Sequence, residues 1–230
     1  MPLESQYLAA RTPDQISAII AGISRERLTT YIAATGSDVE ALALYELNAR
    51  LANCLHELIG GLEIELRNAV SRAIIEHFGR TDWYRARTFT SLLAPERRKN
   101  LREVRARLQS QNQAVRSGRV IAGLTFHFWV AMHENKYRDA LWTPFLRKLW
   151  PDGENIKKVH KDLLKIRDLR NRIAHHEPIF TARWRSRTGI IWTRLEQLSP
   201  EHHAWHADRV KPILDMIMAE LDAVEVEANG

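Results

Sequence analysis

Apolar residues recur along this chain at intervals of three and four, and hardly any segment shows the two-residue alternation of a strand. The longest such pattern runs from Val39 to Phe78. Leu44, Leu47, Leu51, Leu55, Leu58, Leu62, Leu66, Ala69 and Ala73 share one stripe of a single helix, with a soft point at Gly60-Gly61 and Gly79 as the C-terminal cap. Upstream, Thr12-Pro13-Asp14-Gln15 reads as a capping box opening a short helix, with Ile16, Ile19 and Ile20 on one side. A second helix is expected from Ser24 to about Ala34. Downstream, Pro95-Glu96 opens a basic helix with Leu101, Val104 and Leu108 facing inward, which Ser117-Gly118 breaks. An apolar, aromatic helix comes next over Gly123–His133, then one over Tyr137–Trp150, then one from Glu154 to His176. Ile179 to Leu198 is less regular. Ser199-Pro200-Glu201 caps a final helix whose Trp205, Ile213, Leu214, Ile217 and Leu221 form an inner face, with a kink at Pro212. The pattern predicts an all-α helical bundle. Residues 1–38 form a helical segment packing on a main domain of residues 39–230.

Composition narrows the class. With 230 residues, 45% apolar and 27% charged, the chain can bury one good core. Lys and Arg outnumber Asp and Glu by 34 to 28, an excess that makes a polyanion the expected partner class. The single cysteine, Cys54, excludes a disulfide framework and a thiolate metal site. The longest apolar stretch, Val120–Met132, is interrupted by Thr125 and His127 and is too short to span a bilayer. A cytoplasmic protein without membrane association or cofactor is expected. His202, His203 and His206 invite a metal reading, since the outer two are four apart on a helix. No carboxylate completes a hydrolase motif, and they read as polar surface histidines.

Chemistry concentrates in Leu169-Arg170-Asn171-Arg172-Ile173-Ala174-His175-His176-Glu177-Pro178. At roughly 100° per residue, Val159, Leu163, Ile166, Arg170 and Ile173 fall on one stripe about 80° wide, so Arg170 occupies an apolar position. A guanidinium there costs several kcal/mol unless it is paired, for instance with Glu65, or opens to a polar cleft. Metal-free phosphodiester cleavage needs a base, an acid and a fixed cation. Histidine serves the first two near neutrality, and arginine grips phosphate in a bidentate fork. Arg170 and His175 lie about 140° apart around an unbroken helix, so they converge only if the helix unwinds or if two chains pair. The basic face of Arg97 to Arg107 and the stretch Arg183, Trp184, Arg185, Arg187, Trp192 and Arg194 are candidate RNA contacts, through phosphates and base stacking.

Arg170-Asn171-Arg172-Ile173-Ala174-His175 fits the Arg-(four to six residues)-His signature of the HEPN superfamily, and Leu169 to Phe180 resembles its Abi-like, abortive-infection family. Leu44-Tyr45-Glu46-Leu47-Asn48, Leu62 to Asn68, Leu124 to Val130 and Leu149-Trp150-Pro151 resemble other blocks of that family. The resemblance implies a HEPN-type bundle with additional helices, acting as a dimeric, metal-independent endoribonuclease, a toxin or phage-defence effector. In that scheme His175, or His176 in its place, handles the proton of a ribose 2′-OH. Arg170 holds the scissile phosphate, with Asn171, His176 and Glu65 in support, and Arg172, Arg183, Trp184, Arg185 and Arg187 touch RNA. The implied partners are an RNA substrate, a second copy of the chain and an antitoxin, either protein or noncoding RNA. The alternative is a non-catalytic RNA-binding or protein-interaction module of the same fold.

Overall fold

The computed structural model describes residues 8, 10–180 and 183–228, without the side chains of residues 183 and 224–228. Among them every regular element is helical: α1 (Pro13–Ile23), α2 (Arg25–Thr35), α3 (Asp38–Phe78), α4 (Arg87–Thr90), α5 (Pro95–Ser110), α6 (Ser117–Gly123), α7 (Phe126–Ala131), α8 (Ile156–Ala174), α9 (Arg183–Leu198) and α10 (Pro200–Ala228). Short 3-10 turns and a π-helical stretch, Arg138–Leu146, fill the region between α7 and α8. Pro144 lies inside that stretch, where its missing N–H would break an α ladder; the wider winding lets the Arg147 N–H reach back to the Trp142 carbonyl. The chain groups into two compact units whose seams fall within helices. One comprises residues 1–58, 169–188 and 205–230, the other 59–168 and 189–204. No seam falls at residue 38, the division expected from the sequence.

In the first unit the capping box at Thr12 forms as read: its hydroxyl accepts from the Gln15 N–H, and the Gln15 side chain accepts from the Thr12 N–H. Two salt bridges tie α3 to α10 in antiparallel register. Arg50 grips Glu220 bidentately at 2.7 and 2.8 Å, and Arg209 meets Glu57 at 2.5 Å. Leu44, Leu47, Leu51, Leu55 and Leu58 of α3 are buried as the stripe requires, as are Leu214, Ile217 and Leu221 of α10. Trp205 and Ile213 depart from expectation, being 54% and 47% exposed. Trp205 instead carries the Arg209 guanidinium 4.3 Å above its ring.

The second unit has an aromatic core. Trp83 donates to the Ser71 hydroxyl at 3.2 Å and lies edge-on to Phe89 and Trp129. Phe126, Phe128 and Trp129 are all buried. The expected helix over Gly123–His133 is two elements, α6 and α7, separated by extended Leu124 and Thr125. Likewise α5 stops at Ser110 rather than at Ser117-Gly118. Asn112 (φ 51°) donates to the Gln109 carbonyl and Gln113 to the Leu108 carbonyl, a Schellman end that leaves Ser117-Gly118 to open α6. The stretch read as irregular, Ile179 to Leu198, is largely the helix α9.

Within this unit Arg194 is the deeply buried guanidinium, 1% exposed. Its Nη1 lies 3.1 Å from Glu154 and 2.6 Å from the Gln197 side-chain oxygen, its Nη2 2.7 Å from Asp162, and the Trp150 ring lies 5.5 Å away. Arg194 is therefore structural and is not an RNA contact.

Candidate functional site: the end of helix α8

Helix α8 starts on Asn155, whose side-chain oxygen accepts from the Lys158 N–H at 3.0 Å. Ile156, Val159, Leu163, Ile166, Leu169 and Ile173 form its buried face. Arg170 is half-buried beside that face. Leu169 fills the greasy position instead, and the arginine makes no hydrogen bond or ion pair with another described residue. A guanidinium in that setting keeps its stem against apolar neighbours and its head toward water. Glu65 is not its anchor: within the second unit, Glu65 takes Arg72 at 2.8 Å on one oxygen and His202 Nδ1 at 3.3 Å on the other.

The helix stops at Ala174 in a Schellman motif. The His176 N–H reaches the Ile173 carbonyl and the Glu177 N–H the Arg172 carbonyl, both at 3.0 Å. The residue in the left-handed position is His176, φ 54°. After other helices positive φ falls on Gly36, Gly79 and Asn112, residues suited to it, and on Ser24 (φ 80°) after α1. A histidine there bears about 1–2 kcal/mol of backbone strain. His175 continues the winding, its N–H bonding the Asn171 carbonyl at 3.0 Å, so its separation of about 140° from Arg170 stands, and only His176 leaves the spiral. His175, His176 and Asn171 are exposed.

The segment leaving the helix is strapped down by α2 and α3, all within the first unit. Arg27 Nη1 donates to the His176 carbonyl at 3.2 Å. The buried Ile179 N–H donates to the Asn48 side-chain oxygen at 2.8 Å. Phe180 packs on Tyr31 with centroids 5.3 Å apart, and Tyr31 on Tyr45 at 5.4 Å. Burial, then the neighbouring Tyr45, pushes the Tyr31 hydroxyl up to about 12, so it stays neutral. Arg27 and Tyr31 carry no motif and were not legible as site residues; Asn48 ends the Leu44–Asn48 block.

The other candidates divide. Arg172 folds back onto Glu177 at 3.1 Å and onto the Pro178 carbonyl, so it reinforces the turn. Trp184 is 2% exposed, with the Arg185 guanidinium 5.2 Å from its ring, and offers no face to a base. Arg185 also pairs with Asp222 at 2.5 Å. Arg187 is half-buried, and the side chain of Arg183 lies outside the described residues. Among the described residues no group of three or more His, Cys, Asp or Glu side chains is placed to hold a metal, and no helix is long and apolar enough to cross a membrane. His202 faces Glu65, and His206 is buried against Trp205. No family model, curated protein or solved structure matches the chain.

Proposed function

We propose that this chain is a metal-independent endoribonuclease of the Abi-like HEPN type, a cytoplasmic toxin or phage-defence effector working as a homodimer and restrained by an antitoxin. His175 takes the proton of a ribose 2′-OH, whose oxygen attacks the adjacent phosphorus. The 5′-oxygen leaves with a proton returned by an imidazole, giving 2′,3′-cyclic phosphate and 5′-hydroxyl ends. Arg170 binds the phosphate oxygens as charge builds on them. Asn171 lies one residue from it on the exposed side of α8.

The observation carrying this reading is the half-buried Arg170 that no described residue pairs, succeeded by two exposed imidazoles at a strained helix end. An arginine kept only to buttress the core would be tied to carboxylates, as Arg194 is.

The test is cleavage of single-stranded RNA by the purified chain in EDTA, with end-group analysis. Activity is expected to persist in EDTA and to vanish in Arg170→Ala and His175→Ala. Arg170→Ala should barely move the melting temperature. Cleavage that requires Mg²⁺ or survives His175→Ala overturns the mechanism. A large drop in melting temperature for Arg170→Ala, with RNA binding intact and no turnover in wild type, selects the non-catalytic RNA-binding module.

A further inference from the structure

His127 stands between two guanidiniums. Arg97 Nη2, from α5, lies 3.4 Å from its Nε2, and Arg167 Nη1, from α8, lies 3.2 Å from its Nδ1. A neutral imidazole has one lone-pair nitrogen and one N–H, while an arginine only donates. Both contacts therefore cannot be hydrogen bonds at once, and one sets an N–H against an N–H. Two guanidiniums and an imidazole from α5, α7 and α8 converge with a single acceptor nitrogen among them. A solvated basic face spreads its charges into water; these point at one another.

The surroundings sharpen the excess. Asp168 takes Arg167 through Nε and Nη2 at 3.2 and 2.8 Å, which holds that guanidinium with Nη1 toward the ring. Arg97 makes no ion pair among the described residues. The groups acting on His127 are Arg97, Arg167 and His160, which oppose its protonation, and Glu134, which favours it. Burial and then the two arginines hold its pKa below the ordinary histidine value. His127 is exposed and Arg97 half-buried, so the cluster is reachable.

We propose that Arg97, His127 and Arg167 form a phosphate-binding site in the second unit, one that takes a backbone phosphodiester of RNA. A tetrahedral oxyanion supplies the missing acceptor: it accepts from both guanidiniums and from a ring N–H, and its charge offsets their mutual repulsion. The phosphate chemistry stands on the donor geometry alone. The RNA source rests on the proposed function.

The experiment has two arms on the full chain. In the first, the His127 imidazole is titrated by NMR, its resonance assigned with His127→Gln, in chloride and in inorganic phosphate at matched ionic strength. Phosphate should raise the midpoint by roughly half a unit or more. That response should disappear in Arg97→Gln/Arg167→Gln. An unchanged midpoint, or a response that survives the double substitution, overturns the site. In the second, a fluorescent single-stranded RNA made uncleavable by 2′-O-methylation is bound across a salt series. The double variant should bind about tenfold more weakly, with the slope of log affinity on log salt reduced by roughly 0.7 per lost phosphate contact. A phosphate response without any change in RNA affinity overturns the RNA assignment. Binding through this site by a wild type that never cuts RNA supports the site and defeats the nuclease reading instead.

Discussion

Replacing His176 with glycine should make the protein more stable, an unusual expectation for a residue in a candidate site. His176 sits at φ 54° after the end of α8. That conformation costs a side-chain-bearing residue about 1–2 kcal/mol. Glycine removes the strain but adds unfolded-chain freedom costing about 0.5–1 kcal/mol. The exposed ring has little packing to lose, so the net gain is about 0.5–1 kcal/mol. For a chain of 230 residues this corresponds to a rise in melting temperature of about 1–4 °C. His176→Asn should fall between glycine and histidine, and His176→Ala should stay close to wild type, since it keeps the strain. Urea and thermal unfolding measure the ranking, and RNA cleavage is measured on the same preparations. A loss exceeding about 1 kcal/mol in His176→Gly would show that the ring itself holds the turn. A gain in stability with cleavage unimpaired would refute the inference that strain at this position marks a working imidazole.

Arg194→Met should cost about 3 kcal/mol or more in urea unfolding, since Glu154 and Asp162 lose their shared buried counter-charge; a cost below about 1 kcal/mol would contradict a closed triad. Gly123→Ala should destabilise by about 1–3 kcal/mol, because its Cβ would lie 2.8 Å from Val104 Cγ1 and 3.0 Å from Arg107 Nη2; a neutral effect would mean that α5 and α6 part easily. His133 is fully buried, and its Nδ1–H donates to the Trp129 carbonyl at 3.1 Å, which leaves the ring neutral with a pKa pushed down to about 4 by burial. Its folded value lies below the unfolded 6.5, so the stability it contributes is complete above about pH 6.5 and is lost as pH falls toward 4, on the order of 3 kcal/mol in all. His133→Gln should flatten that slope in unfolding measured across this range.

The helices are legible wherever a long apolar stripe or a cap residue specifies them. The Leu44–Leu66 stripe, the Thr12 box and the Gly79 stop all occur in the structure. Boundaries fail where the deciding residue is a weaker signal. Asn112 ends α5 in a left-handed turn that a search for glycine passes over, and Pro144 is absorbed by π winding. Periodicity singles out Arg170 because its position suits a leucine; at this end of α8 the buried face instead turns toward Leu169 and Ile173, which a stripe fitted to the rest of the helix does not anticipate. Arg194 misleads for the opposite reason: its partners Glu154 and Asp162 lie 40 and 32 residues away, and no spacing rule reaches them. Arg27 and Asn48 escape in the same way, because a carbonyl and an N–H of a later turn reveal nothing in the sequence about which side chain will find them.

The bond from Arg27 to the His176 carbonyl joins residues 149 positions apart. At translation speeds of about 5–20 residues per second, α2 waits roughly 7–30 s on the ribosome before the histidines are made. A half-synthesised chain therefore carries the clamp without anything to hold. The turn that carries the two histidines is fastened late in synthesis, by a helix made long before it.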